Sequence, residues 1–380
     1  MLDQKKLFDL TSKLISFQSI SPNQAGCIDY LQQILTDIGF TVTRLDKNNT
    51  SNFIAKIGVS GPIFAYAGHV DVVPTGDLNE WSFDPFTLTP ANNELFGRGI
   101  ADMKGSIAAF IIAVEQFIQN DFNPNDGQIA ILITSDEESS AVDGTPVMVD
   151  YLKSEGITID YCLVGEPSSE NILGDTIKVG RRGSLTGYIK VNGKQGHIAY
   201  PESCINPIHT FIPALNELIS TKWDNGNEIF PPTGLQFANI NCGLGVTNVI
   251  ANTLTANFNF RYNNLHNASD LKQKVVAILD KYAVNYAVEW TNSANPFYSK
   301  PGKLRQVITD SIKQQLNLMP AQKTDGGTSD GRFLIEVCTE IVEFGLSNKH
   351  IHQIDERIKA KDLDNLANTY YLILNKIFND

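Results

Sequence analysis

Phe64-Ala65-Tyr66-Ala67-Gly68-His69-Val70-Asp71-Val72-Val73-Pro74 joins an uninterrupted apolar run to a histidine and an aspartate two residues apart. A short continuous run suits a strand buried on both faces, as inner strands of a parallel sheet are. In open α/β sheets, ligands bind at the carboxyl ends of the strands, and His69 stands at such an end. Its imidazole can ligate a metal, and Asp71 is placed to reach the second ring nitrogen. A lone histidine after a strand usually carries no chemistry, so its meaning depends on the rest of the chain.

The pattern recurs on either side. Ile129-Ala130-Ile131-Leu132-Ile133 runs into Thr134-Ser135-Asp136-Glu137-Glu138-Ser139, and Tyr161-Cys162-Leu163-Val164 runs into Gly165-Glu166-Pro167-Ser168. Near the end, Glu340-Ile341-Val342-Glu343-Phe344 precedes His350-Ile351-His352-Gln353-Ile354-Asp355-Glu356. Helical segments read over Gly105 to Gln119 and Lys361 to Ile377 complete an α/β rhythm. Before the first of these, a helix opening at Lys104, stands Gly97-Arg98-Gly99-Ile100-Ala101-Asp102-Met103-Lys104-Gly105. This stretch lacks both GxGxxG spacing and a GK[ST] ending, which excludes a phosphate loop. Asp102 is either a helix cap or a carboxylate shared by two metal ions. The acids 136 to 138 are either a solvated turn or a division of labour, one glutamate ligating while its neighbour acts as general base. Three of the six histidines fall in strand-end loops with acids beside or opposite them. Five strand ends or helix starts supplying His, Asp, Glu, Glu and His predict a co-catalytic metal site. A nitrogen and oxygen set without thiolate suits Zn²⁺, with Co²⁺ or Mn²⁺ able to replace it.

Between Gly180 and Thr291 the rhythm changes. Strand, helix, two strands, helix and strand are read over Ser184 to Val191, Pro207 to Ile219, Gln236 to Asn241, Thr253 to Tyr262, Ser269 to Tyr282 and Tyr286 to Trp290. That is the ferredoxin-like order. The expected architecture is a discontinuous catalytic domain (1–179 and 293–380) with a mixed sheet flanked by helices, interrupted by an α/β sandwich over 180–292.

Composition agrees with a globular chain: 380 residues, 42% apolar and 19% charged, enough for two domains. A formal charge of -12 argues against nucleic acid or an anionic membrane as partner. No apolar stretch approaches a membrane span. Leu7, Leu10 and Leu14 lie at helical spacing among lysines, and no secretory signal is read there. Cys27, Cys162, Cys204, Cys242 and Cys338 are scattered, odd in number and without a CxxC pair, so reduced cysteines in a soluble cytoplasmic protein are expected. Arg181-Arg182 forms a local cationic spot in this acidic chain, suited to a carboxylate on a small substrate.

The segments GHVDVVP, GRGIADMKG, TSDEES and VGEPS, in this order and spacing, resemble the co-catalytic zinc metallopeptidase family that includes acetylornithine deacetylase, aminoacylase and glutamate-releasing carboxypeptidase. The resemblance spans essentially the whole chain. It implies a zinc-exopeptidase-like catalytic domain, a dimerisation or lid role for the insertion, a homodimer, and two zinc ions per subunit. Asp102 is then the bridging ligand, His69 and Glu166 ligands of one zinc, and Glu138 and His352 ligands of the other. His352 is preferred to His350 because Gln353-Ile354-Asp355-Glu356 follows it. Glu137 is the implied general base and Asp71 the acid that orients His69. Further segments resemble a branch acting on an acidic acylated substrate: Gly180-Arg181-Arg182-Gly183-Ser184, Gly196-His197-Ile198-Ala199-Tyr200-Pro201, Asn248-Val249-Ile250, Lys300-Pro301-Gly302-Lys303-Leu304, and Gly326 to Phe333. Phe297-Tyr298-Ser299 and Thr324-Asp325 depart from that branch. By this resemblance Arg181, Asn248 and Thr328 hold the acyl group, and Tyr200 and Gly327 line the amine side. His197 reaches across from a second subunit to the developing oxyanion. The alternatives are another N-acyl-amino-acid deacylase, a dipeptidase, or a non-catalytic binding module. An intact Glu137 beside a full ligand set speaks against the last.

Overall fold

The computed structural model describes residues 2–379, and the chain divides into two compact units. One comprises Met1–Gly180, Ser299–Lys323 and Ser329–Asp380; the other comprises Arg181–Tyr298 and Thr324–Thr328. The second thus reaches beyond the 180–292 read from sequence and takes in a short later loop.

The first unit begins with α1 (Gln4–Ser16) and α2 (Cys27–Ile38). The Asp3 carboxylate accepts the Lys6 N–H at the start of α1, satisfying an amide that the helix itself cannot, and Leu7, Leu10 and Leu14 form the buried stripe. Strands β1 (Thr41–Arg44), β2 (Asn52–Ile57) and β3 (Ile63–His69) follow. Then come α3 (Gly105–Asn120), β4 (Gln128–Thr134), α4 (Thr145–Ser154), β5 (Ile159–Val164) and β6 (Thr176–Lys178).

The second unit contributes β7 (Gly183–Asn192), α5 (Pro207–Ser220), β8 (Gly234–Cys242), β9 (Thr253–Tyr262), α6 (Ala268–Lys281) and β10 (Tyr286–Ala294). Its antiparallel sheet runs β8-β9-β7-β10. Alternation along β7 and β9 sends Leu185, Ile189, Phe258 and Phe260 to one face, where Phe211 and Leu218 of α5 and Leu271 and Val275 of α6 close the core. Each such buried side chain contributes roughly 1.5–3 kcal/mol.

The chain returns to the first unit with α7 (Lys303–Leu316), β11 (Ala321–Lys323), β12 (Cys338–Glu343) and α8 (Ala360–Asn379). The mixed eight-stranded sheet runs β1-β2-β4-β3-β5-β12-β6-β11. Its centre is packed by α3 and α8: Tyr66 of β3 stacks on Phe110 of α3 at 4.1 Å, and both rings meet Tyr370 of α8 edge-on. Strands β4, β3, β5 and β12 are parallel and in step, pairing His69 with Thr134, Ala67 with Val164, and Glu343 with Val164. The loops after all four therefore leave the sheet at one edge. Among the described residues no helix is long and apolar enough to cross a membrane.

Candidate metal centre

His69 is the last residue of β3 and is 1% exposed. Its Nδ1 lies 2.9 Å from the backbone carbonyl of Asp71, whereas the Asp71 carboxylate is 3.6 Å away. A carbonyl only accepts, so Nδ1 carries the proton and the Nε2 lone pair faces outward. That lone pair looks at two acids, Asp102 Oδ1 at 3.3 Å and Glu166 Oε1 at 3.7 Å. Across the site, His352 Nε2 lies 3.1 Å from Asp102 Oδ2 and 2.9 Å from Glu138 Oε1. The two oxygens of Asp102 thus serve two histidines, one on each side.

Asp102 is aimed by the backbone. Residues Ile100–Lys104 form a wide turn broken by non-helical angles at Asp102 (φ −123°, ψ 91°), and α3 starts only at Gly105. The Asp102 side chain caps neither helix, so the capping alternative does not arise. The helix read over Gly105 to Gln119 runs Gly105–Asn120, and the turn before it presents a carboxylate.

Glu137 and Glu138 are turned inward by Asp71. Its carboxylate accepts the Glu137 N–H at 3.2 and 3.3 Å and the Glu138 N–H at 3.1 Å. The expected contact between the Asp71 carboxylate and His69 is therefore replaced: its backbone carbonyl holds the ring and its side chain holds the loop. Asp136, the first of the three adjacent acids, is taken up by the Val142 and Asp143 N–H groups, which closes the same loop. Among the described residues three ligand sets with all donor atoms within 4.8 Å result: His69, Asp102 and Glu166; Asp102, Glu138 and His352; and His69, Glu137 and Glu138. His350 belongs to none of them.

These residues fit a pair of cations. Among the described residues His69 Nε2 and Asp102 Oδ1 are buried without a hydrogen-bond partner, and an imidazole lone pair facing carboxylates needs a positive charge between them. The electrostatics of the site make the same demand. Burial pushes the Glu137 carboxyl up to about 8, opposed by His69 and reinforced by Asp330 and Glu138. Burial and the nearby Asp102 carboxylate raise Glu166 well above the usual range. Burial would also raise Asp102, but the hydrogen bond from His352 and the electrostatic pull of His69 hold it well below. His352 is raised to about 10 by its bonds to Asp102 and Glu138. Groups raised in this way hold protons near neutral pH and must release them when cations bind.

The remaining residues singled out from sequence lie in the second unit. Arg181 is buried, its Nη1 donating to the carbonyls of Asp325 at 3.2 Å and Gly327 at 3.4 Å. Thr328 Oγ1 is buried without a hydrogen-bond partner among the described residues. His197 and Tyr200 are exposed with ring centroids 5.7 Å apart, and the carbonyl of Asn248 accepts the Ile198 N–H at 3.1 Å. A short ribbon pairing His197 with Val249 keeps these three near one another. Glu356, which served the sequence reading only as part of the segment that singled out His352, also touches the Asp102 loop: its carboxylate accepts from Arg98 Nη1 at 2.8 Å. The pair is 258 positions apart, so no local pattern announces it.

Residues 65–376 match the sequence model of peptidase family M20/M25/M40. The chain is 45% identical to the succinyl-diaminopimelate desuccinylase of Aromatoleum aromaticum, covering 97% of this chain and 96% of that one. It is 46% identical to the enzyme of the same name from Methylobacillus flagellatus, covering 97% and 98%. Among solved structures, an M20 family metallo-carboxypeptidase from Sulfolobus solfataricus superposes with a TM-score of 0.83 at 17% identity, over 98% of this chain and 99% of that one. A Bacillus subtilis protein described as a dinuclear metal binding peptidase from the M20 family gives 0.72 at 14% identity, over 98% of each. These two likenesses concern the fold.

Proposed function

Because this chain belongs to peptidase family M20/M25/M40, we propose that it removes succinate from N-succinyl-LL-2,6-diaminopimelate, giving LL-2,6-diaminopimelate for lysine and cell-wall precursor synthesis. The observation that carries the reading is near-full-length likeness to desuccinylases, together with a carboxylate, Asp102, placed between two histidines and two glutamates. Gly180 to Ser184, Gly196 to Pro201 and Gly326 to Phe333 also resemble that enzyme.

His69 and Glu166 would hold one zinc ion, Glu138 and His352 the other, and Asp102 both; Co²⁺ or Mn²⁺ suits the same donors. When bound, such a pair polarises the amide carbonyl and makes water acidic enough to attack at neutral pH. Glu137 takes the proton from the attacking water as its oxygen bonds to the carbonyl carbon. It returns that proton to the departing nitrogen as the C–N bond breaks, leaving succinate and a free amine. Asp71 keeps Glu137 in place through its backbone N–H. Arg181, Asn248 and Thr328 hold the succinyl side, where guanidinium suits a carboxylate, and Tyr200 and Gly327 line the diaminopimelate side. His197, supplied by a second copy, donates to the oxyanion.

Homodimerisation through the second unit is supported by Ile208, Ile212 and Ile219, exposed along one face of α5, and by the open edge of β8. Light scattering reading a single-chain mass at micromolar concentration would remove that part. A cytoplasmic setting is supported by five cysteines, all without disulfides; recovery of the enzyme with the extracytoplasmic fraction would count against it.

The deciding assay measures succinate release from succinyl-diaminopimelate by metal-free protein with and without added zinc, beside acetylornithine and a dipeptide panel. Zinc-dependent release with the succinylated substrate preferred by at least about 10²-fold in kcat/KM supports the reading. Preference for acetylornithine or a dipeptide would reassign the substrate within the family.

A further inference from the structure

The carboxylate of Glu356 is 1% exposed and filled by the loop that presents Asp102. Oε2 accepts from Arg98 Nη1 at 2.8 Å and from the Gly99 N–H at 3.0 Å. Oε1 accepts the Ala101 N–H at 2.9 Å and the Asp102 N–H at 3.2 Å. The backbone carbonyl of the same residue accepts the Gly97 N–H at 3.0 Å. Every donor comes from residues 97 to 102, and Gly99 turns its amide inward at φ +84°, a left-handed angle that costs glycine little. Arg98 is itself 2% exposed, with its guanidinium 5.1 Å from the Trp81 ring centroid. Four residues before Glu356 comes His352, in a loop with left-handed angles at His352 (φ 60°) and Asp355 (φ 56°). The Asp355 carboxylate in turn accepts the N–H and hydroxyl of Ser82.

The geometry points to Glu356 as the positioning residue of the metal centre: by gathering the amides of the Gly97 to Asp102 loop it holds Asp102 against His352, and so sets the spacing of both halves. This rests on Asp102 being the shared ligand. Glu356 acts through Asp102 and His352, with no contact to the reacting atoms required. Replacing it by glutamine puts an NH₂ where an acceptor stood, so one pair of donors faces a donor and the loop must move.

The test compares wild type with Glu356→Gln and with Phe117→Leu. Phe117 packs on Phe378 at 5.7 Å at the far end of α3, so its loss weakens the core without touching the loop. Zinc affinity of the metal-free proteins is read by chelator competition, Tm by calorimetry, and kcat and KM by succinate release. Glu356→Gln is expected to bind zinc about 10–100-fold more weakly and to lose kcat while KM moves less than about threefold. Phe117→Leu is expected to lower Tm and keep wild-type zinc affinity. Wild-type zinc affinity in Glu356→Gln would overturn the inference while leaving the dinuclear reading intact. Wild type that fails to bind two zinc ions would instead sink that reading. Should Glu356→Gln not fold, Arg98→Gln, which removes one of the four donors, is judged by the same criterion.

Discussion

The two halves of the cluster are built differently. His69 ends a central strand and is 1% exposed, while His352 sits in a loop with a left-handed angle and its side chain is 48% exposed. Both face the same Asp102 carboxylate, and their glutamates are similarly covered, 11% for Glu166 and 8% for Glu138. The first half inherits its geometry from parallel strand pairing, which hardly varies; the second depends on how a loop is pinned. Preorganised ligands lose less freedom on binding, so the strand-built half is expected to hold its cation more tightly.

The largest effects come from removing one histidine from each half. His69→Ala is expected to lower kcat by about 10⁴-fold, since an ion supplying several kcal/mol of transition-state stabilisation is lost. It also leaves the Asp71 carbonyl without its donor, so urea unfolding of the metal-free protein should show a loss on the order of 2 kcal/mol. His352→Ala is expected to lower kcat less and to retain about one equivalent of zinc by elemental analysis. If His352→Ala lost more metal than His69→Ala, the ranking of the halves would be reversed.

Glu137→Gln separates proton transfer from cation binding. Both zinc ions should stay bound while kcat falls by about 10³-fold. The same variant has a second readout in the metal-free protein. Burial pushes the Glu137 carboxyl from the ordinary glutamate range up to about 8, so the native state binds more protons between these limits and wild-type stability falls as pH rises through them. The slope is on the order of 1 kcal/mol per pH unit, and Glu137→Gln should flatten it in chemical denaturation measured from pH 5 to 8. An unchanged slope would show that the proton resides elsewhere in the cluster.

The smallest effect is expected at His350, which neighbours the open half without joining it. His350→Ala should keep two zinc ions and a kcat within about twofold of wild type, as substitutions away from a site usually do. A loss of one zinc would transfer the ligand role from His352.

Much of this was legible in the chain. Apolar runs of strand length marked β3, β4, β5 and β12, and each was followed by a residue fit to ligate or to transfer a proton. The order of the second unit was legible too, because alternation in β7 and β9 and the 3.6-residue period in α5 and α6 follow from burying one face of each element. Its limits were less so: Thr324–Thr328 joins that unit from 26 residues past Tyr298, through contacts that no local pattern encodes. Likewise Asp136, Glu137 and Glu138 look equivalent as neighbours, and only the path of the loop sends the first to the Val142 and Asp143 amides and the others inward.

Sequence alone determined which residue types stand at the strand ends, and hence that imidazoles and carboxylates would converge on one edge, because hydrophobic periodicity and parallel pairing are local or nearly so. Only the tertiary structure decided that the carbonyl of Asp71 holds the His69 ring, that Asp136 turns to the Val142 and Asp143 amides, and that Glu356 gathers the loop that presents Asp102. Those choices turn on hydrogen-bond angles and ångström-scale distances, between neighbours such as His69 and Asp71 and between residues as distant as Glu356 and Asp102, which are set when the chain packs.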